Sequence, residues 1–426
     1  MSRGITARLF KGDRTVWCVF FIFCVLSLIE VFSASSRQTY DSGNYWGPIT
    51  KHSIFILAGV FVVWFMHNMK SDWIKGMTKI IYFLGLGMLI YAALGGGAVR
   101  NESNRWIKIM GFEFQHFEVV KLGIVMIISS VLARAQCDEG TRFSWNSALS
   151  FLGIAPRAVD KKGDYTMLTI LMLVAIPSAF IVTENLSTVL ILVLVTLAMM
   201  TIGGVNWKQM LLLVVTGAAG IVLGIAVLLQ VPEEFKDAGP IGNKVITWKH
   251  RFEDVFKADG DTDPKKVKIA GEEQRIYSKI AIVEGGFFGR GPGNSVRRDY
   301  IPHANSDFIF AVILEELGIV GGAVVVILYL ILLYRCGKIA NECEDPYASF
   351  LAIGIGILIT IQAFMHMYIT VGNFVTGQPL PLISQGGTSF LINCMYIGIL
   401  LSISRYVNRL HREKEIKAKR EAEALS

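Results

Sequence analysis

IPHANSDFIFAVILEELGIVGGAVVVILYLILLY, Ile301 to Tyr334, decides the reading of this chain. A polar approach containing His303, Asn305 and Ser306 meets an apolar run, and Asp307 stands at the junction. The apolar part exceeds the ~20 residues that cross ~30 Å of hydrocarbon. Nine further runs of this kind lie at roughly 15–35, 52–69, 77–94, 115–135, 165–183, 187–204, 209–231, 348–370 and 386–404. Lipid offers no partner to backbone N–H and C=O groups, so spans of this composition are predicted to be helices. The expected fold is all-α: a polytopic membrane protein of about ten transmembrane helices. Composition agrees, with 53% hydrophobic residues and a mean hydropathy of +0.50.

Lysine and arginine placement sets the predicted orientation. With both termini cytoplasmic, the inside segments carry 22 basic residues, and the two short outside loops before residue 115 carry five. That asymmetry is the positive-inside bias, from which long loops such as 232–306 are exempt. The expected organisation is a cytoplasmic N-terminus (1–14), transmembrane helices 1–7 (15–231), a large extracytoplasmic loop (232–306), transmembrane helices 8–10 (307–405) and a basic cytoplasmic tail (406–426). The first run is too long for a signal-peptide h-region and is read as an uncleaved helix. The net charge of +7 sits mostly in the tail and the inside loops, which fits attraction to anionic lipid rather than nucleic-acid binding. All six cysteines fall in spans or on the inside, and no disulfide framework or Cys/His metal spacing occurs.

Three outside segments combine charge or irregular backbone with proximity to the bilayer: 95–122, the approach to Asp307, and GNFVTGQPLPLISQGGTSF at 372–390. Irregular backbone survives at membrane depth only where protein buries it or where it lines a cavity. Together the segments predict a polar pocket open to the outside. Asp307 reads either as a helix cap, accepting from free N–H groups, or as a working carboxylate in that pocket. Glu118 and Lys121 share a helix face at i,i+3, as a structural ion pair or as a charged site wall. Arg105 beside Trp106 is an interfacial anchor or a source of positive charge. Gly285–Gly293 is read as a turn returning the chain to the membrane. Glu315, Glu316 and Glu30 are read as hydrogen-bond acceptors for neighbouring helices.

The strings NRWIKIMGFEFQHFEVVKL, ENLSTVLIL, AIVEGGFFGRGPGNS, IPHANSDFIFAVILEELG and GQPLPLISQGGTS resemble, in this order, the signatures of the SEDS family. These are ten-helix peptidoglycan glycosyltransferases, and the likeness is greater to the division branch than to the elongation branch. The resemblance implies Asp307 as catalytic carboxylate. It places Glu118, Lys121, Arg105, Gln274, His303, Ser384, Gly386, Gly387, Thr388 and Ser389 at the substrate site. Departures include His116-Phe117 for Pro-Ser, Ser306 for Thr, Gln385 for Tyr, Tyr277 for a glutamine, and Asn185 for an aspartate common in the family.

The likeness further implies lipid II as substrate and Asp307 as general base. Lys121, Arg105 or a divalent cation (Mg²⁺ or Mn²⁺) would neutralise the pyrophosphate, and no organic cofactor is involved. Expected partners are a class B penicillin-binding protein, other divisome proteins and membrane lipid, at the division septum. The rival expectations are a lipid II flippase, because charged residues within a bilayer suit transport as well, and a polymerase of the family's elongation branch.

Overall fold

The computed structural model describes residues 11–36, 46–100, 103–109, 112–137, 166–182, 184–205, 226–232, 270–301, 304–372 and 377–424, with isolated positions in 40–43, 210–220 and 242–249. The described helices are α1 (Arg14–Ala34), α2 (Gly47–Asn68), α3 (Ser71–Tyr91), α4 (His116–Cys137), α5 (Thr166–Ile181), α6 (Leu186–Ile202), α7 (Ala270–Gly285), α8 (Ile309–Glu342), α9 (Pro346–Val371) and α10 (Thr388–Ala424). Seven of them are long and apolar enough to cross a membrane, and α5 and α6 are shorter apolar helices. The chain is a multi-pass membrane protein. The expected seventh span, 209–231, falls largely outside the described residues.

Burial sorts the helices. α4 is buried along nearly its whole length, packed by α3, α5, α6 and α9. α2 is mostly exposed and leans on α10, presenting Leu57, Phe61 and Phe65 outward, as a helix at the rim of a membrane bundle should. Gly59 and Gly398 make the α2–α10 contact close: a Cβ on Gly59 would overlap Cys394 and Phe390, and one on Gly398 would overlap Met66. Small residues let helix backbones approach where lipid supplies no hydrophobic drive.

The two ends of the bundle differ. At one end, Asp13 caps α1 and pairs with Arg335, Arg405 donates to the main chain of Asn68 and Met69, and Lys414 pairs with Glu344. These residues belong to the basic segments expected on the inside, and α10 continues past them as a charged extension. The other end holds the irregular elements. A π-turn (Ala92–Gly96) leads into a three-stranded antiparallel sheet, β1 (Gly97–Arg100), β2 (Ser103–Ile109) and β3 (Phe112–Gln115), in the order β1-β2-β3. This sheet was not anticipated. It runs straight into α4, with Trp106 opposite Gln115, and so fixes where Glu118 begins its helix.

Candidate active site

Segment 377–389 is the scaffold of the site. Pro379 and Pro381 keep it from being a helix, and Leu382 is the one non-glycine residue with positive φ (64°) among those described. Its carbonyls therefore need outside partners, and side chains supply them. His366 bonds to Gln378 O (2.6 Å), Gln362 donates to Pro379 O (3.5 Å), Tyr329 to Pro381 O, and Ser27 to Ile383 O (2.7 Å). α1, α8 and α9 thus hold irregular backbone inside the bundle, as its depth demands.

Two further segments hang on this scaffold. The first brings Asp307. Ser384 Oγ donates to Ser306 O (2.7 Å) and accepts from Leu380 N (2.8 Å), and Gln385 N donates to Asn305 O (2.9 Å). The Asn305 amide donates to the Gln385 side chain as well. Asp307 is half-buried just beyond these bonds. The N-cap position of α8 belongs to Phe308, which has no capping side chain, so Asp307 precedes the helix rather than occupying its cap.

The second segment brings Glu118 and Lys121. Gln115 N donates to Thr388 Oγ1 (3.1 Å), joining the end of β3 to the start of α10. Lys121 Nζ then lies 2.6 Å from Glu118 Oε1 and 2.8 Å from Gln362 Oε1, and both charged residues are 1% exposed. Tyr396 donates to Glu118 O (3.1 Å), while Glu118 Oε2 is buried with no partner among the described residues. An ion pair buried to this degree faces protein and not lipid.

Of the other expected site residues, Thr388 and Ser389 open α10 and are buried, with Ser389 Oγ donating to Gly386 O (3.1 Å). Gly387 takes φ +50° beside Phe55. Gln274 is half-buried in the first turns of α7. Arg105 is placed by its backbone alone, in β2, and His303 lies outside the described residues. Asn185, where the family favours aspartate, caps α6 by accepting from Thr188 N (3.2 Å). Sequence reading passed over Gln362, His366 and Gln378, whose amide donates to Thr188 (2.6 Å). Polar residues inside apolar spans were the available signal. Glu315 and Glu316 are fully buried; both accept mainly from segment 293–298, and Glu316 also accepts from Ser33 Oγ of the neighbouring helix α1. Fully buried Glu30 has no hydrogen-bond partner among the described residues for either oxygen. Among the described residues no three His, Cys, Asp or Glu side chains are grouped to hold a metal ion.

The profile of the cell cycle protein family of FtsW, RodA and SpoVE matches residues 13–409. The chain is 30% identical over 408 residues to the probable peptidoglycan glycosyltransferase FtsW of Bacillus subtilis, covering 92% of this chain and 91% of the relative. It is 27% identical over 411 residues to the FtsW of Halomonas elongata (94% and 92% covered) and 28% identical over 414 residues to stage V sporulation protein E of Bacillus subtilis (94% and 99%). Among solved structures, a chain of a peptidoglycan synthase complex that coordinates polymerization and crosslinking superposes with a TM-score of 0.67 at 18% identity, covering 93% of this chain and 98% of that one. The rod shape determining protein RodA of Thermus thermophilus gives 0.59 at 17% identity, covering 92% and 97%.

Proposed function

The chain belongs to the cell cycle protein family of FtsW, RodA and SpoVE, and on that footing we propose that it is a peptidoglycan glycosyltransferase polymerising lipid II. The single observation that carries the site assignment is the setting of Asp307. Its approach is tied at Asn305 and Ser306 to the 384–385 backbone, so a half-buried carboxylate is held at the mouth of the bundle. The irregular segments lie at the end opposite the basic loops, which we place outside the cell membrane by the charge bias.

In the reaction a sugar hydroxyl of one lipid II attacks the anomeric carbon of another glycan unit. The new C–O bond forms as the bond to the undecaprenyl pyrophosphate breaks, and the hydroxyl proton passes to Asp307. A positioned general base contributes ~10²–10⁴-fold to such a step. Lys121 and Arg105 are the cations assigned to the departing pyrophosphate, where preorganised charge acts strongly. A magnesium ion, if used, would be held by one protein carboxylate and the substrate phosphates, its usual arrangement. Ser384 and the Gly386–Ser389 turn shape the floor of the site, and Gln274 its α7 side.

We further assign the protein to the division septum, alongside a class B penicillin-binding protein that cross-links the new strands. The relatives named FtsW and the solved synthase complex support that pairing. A flippase would spread polar groups through the depth and to both faces, whereas the irregular segments here gather at one end. The test is the purified chain in detergent with lipid II and its partner: glycan strands formed without a bilayer support a polymerase. Transport of lipid II across vesicles with no glycan formed overturns the assignment.

A further inference from the structure

Gly318 breaks α8 within its apolar span, with φ +68° and ψ −170°. A break there strips partners from the carbonyls ending the first half and from the N–H groups opening the second. The glycine-rich segment after α7 answers both sets. Arg290 N and Gly291 N donate to Glu315 O (3.0 Å) and Glu316 O (2.8 Å), while Ile319 N and Val320 N donate to Gly286 O (3.1 Å) and Phe287 O (3.2 Å). The approach is so close that a Cβ at Gly285 would collide with Leu314 O, at Gly289 with Glu316 O, and at Gly318 with Gly289 N.

The two glutamate side chains extend the clasp. Glu316 accepts from Gly293 N (2.7 Å), Ser295 N (3.2 Å), Arg298 Nη1 (3.4 Å) and Ser33 Oγ of α1. Glu315 accepts from Ser295 Oγ, Val296 N (2.9 Å) and Arg297 N (3.3 Å). Both carboxylates are fully buried. The short half-helix Ile309–Leu317 is consequently fastened at its foot by the clasp and at its head by Ser384 and Gln385.

We propose that Glu316 is a positioning residue for the transfer reaction, locking the foot of the half-helix that presents Asp307. This rests on the reading of Asp307 as the base. At 1.5 Å per residue the half-helix is about 13 Å long, so a tilt of about 5° at the break swings its head by about 1 Å. Misplacement on that scale lowers rates by about 10²-fold without touching the chemistry directly. The effect belongs in kcat, since the clasp lies at the far end of the half-helix from the Asp307 approach.

The experiment takes the full chain with its partner in detergent, and compares Glu316→Gln, Glu316→Ala and Asp307→Asn for kcat, KM for lipid II, and amide hydrogen exchange. Glu316→Ala is expected to lower kcat about 10- to 100-fold with KM within about threefold. Exchange should quicken in 289–297 and 305–312 and stay unchanged beyond 320. Glu316→Gln, which keeps one acceptor oxygen of two, should fall between wild type and Ala. Wild-type kcat in Glu316→Ala with Asp307→Asn inactive overturns the positioning role alone. An effect confined to KM, or faster exchange throughout the chain, overturns it too. Full activity in Asp307→Asn removes the base itself, and the positioning role with it.

Discussion

Lys121 offers a quantitative test of the buried pair. The residue is 1% exposed, and its ammonium group donates to Glu118 at 2.6 Å and to Gln362 at 2.8 Å. Lys121→Met removes the charge and strands Glu118, whose second oxygen already lacks a partner among the described residues. Breaking a buried pair from one side costs ~3–5 kcal/mol because an uncompensated charge remains. For a chain of this size that corresponds to a fall of about 3–6 °C in Tm. In the double variant Glu118→Gln, Lys121→Met no buried charge is left, and an amide at 118 can donate to Gln362. Most of the lost stability should return, while glycan synthesis stays absent if Lys121 serves the pyrophosphate. Thermal melts of the purified variants and a lipid II assay read the two quantities separately. Equal Tm for the single and double variants would refute the stranded-charge argument, and activity restored in the double would refute a role for Lys121 in the site.

Ser384→Ala loses a donor to Ser306 O and an acceptor for Leu380 N, a local loss of about 1–3 kcal/mol that leaves the fold intact. The glycan-forming rate should drop at least tenfold with a Tm shift of only a few degrees, measured side by side. At the α6 cap, Asn185→Asp should leave Tm nearly unchanged and Asn185→Ala should cost about 1 kcal/mol, since aspartate caps as well as asparagine. Glu284, on the outer side of the clasp, is held below its ordinary 4.5 first by its hydrogen bond from Arg297 and then by the charges of Arg297 and Arg290. A depressed carboxyl stabilises above its unfolded pKa and loses that contribution as pH falls through the folded one. Exchange protection at 295–298 should therefore weaken below about pH 4.5, and more readily in high salt because the pair is solvent-screened.

The bundle was legible because apolar runs of membrane-crossing length admit few alternatives; most of the described spanning helices start and stop near those runs, whereas α8 and α10 continue to Glu342 and Ala424, past the apolar residues into polar ones. The sheet was less visible, though its signal was present: Ile107-Lys108-Ile109 and Phe112-Glu113-Phe114-Gln115 alternate apolar and polar residues, a strand pattern read past because of the surrounding spans. Asp307, Glu118 and Lys121 were singled out from charge at the membrane edge, and Ser384 only through the family resemblance. Their common attachment to 377–389 was not, because Gln115–Thr388 and Asn305–Gln385 join positions far apart in the chain. The clasp is a similar case. Gly285–Gly293 reads as a turn, and only the fold shows that glycines 285 and 289 lie against the break at Gly318.

The most direct measurement is lipid II polymerisation by the purified Asp307→Asn protein, with its partner present and its folding checked by melting. The account predicts wild-type Tm and a loss of at least 10²-fold in glycan strands per unit time, the share a general base supplies. Strands growing at the wild-type rate would contradict it.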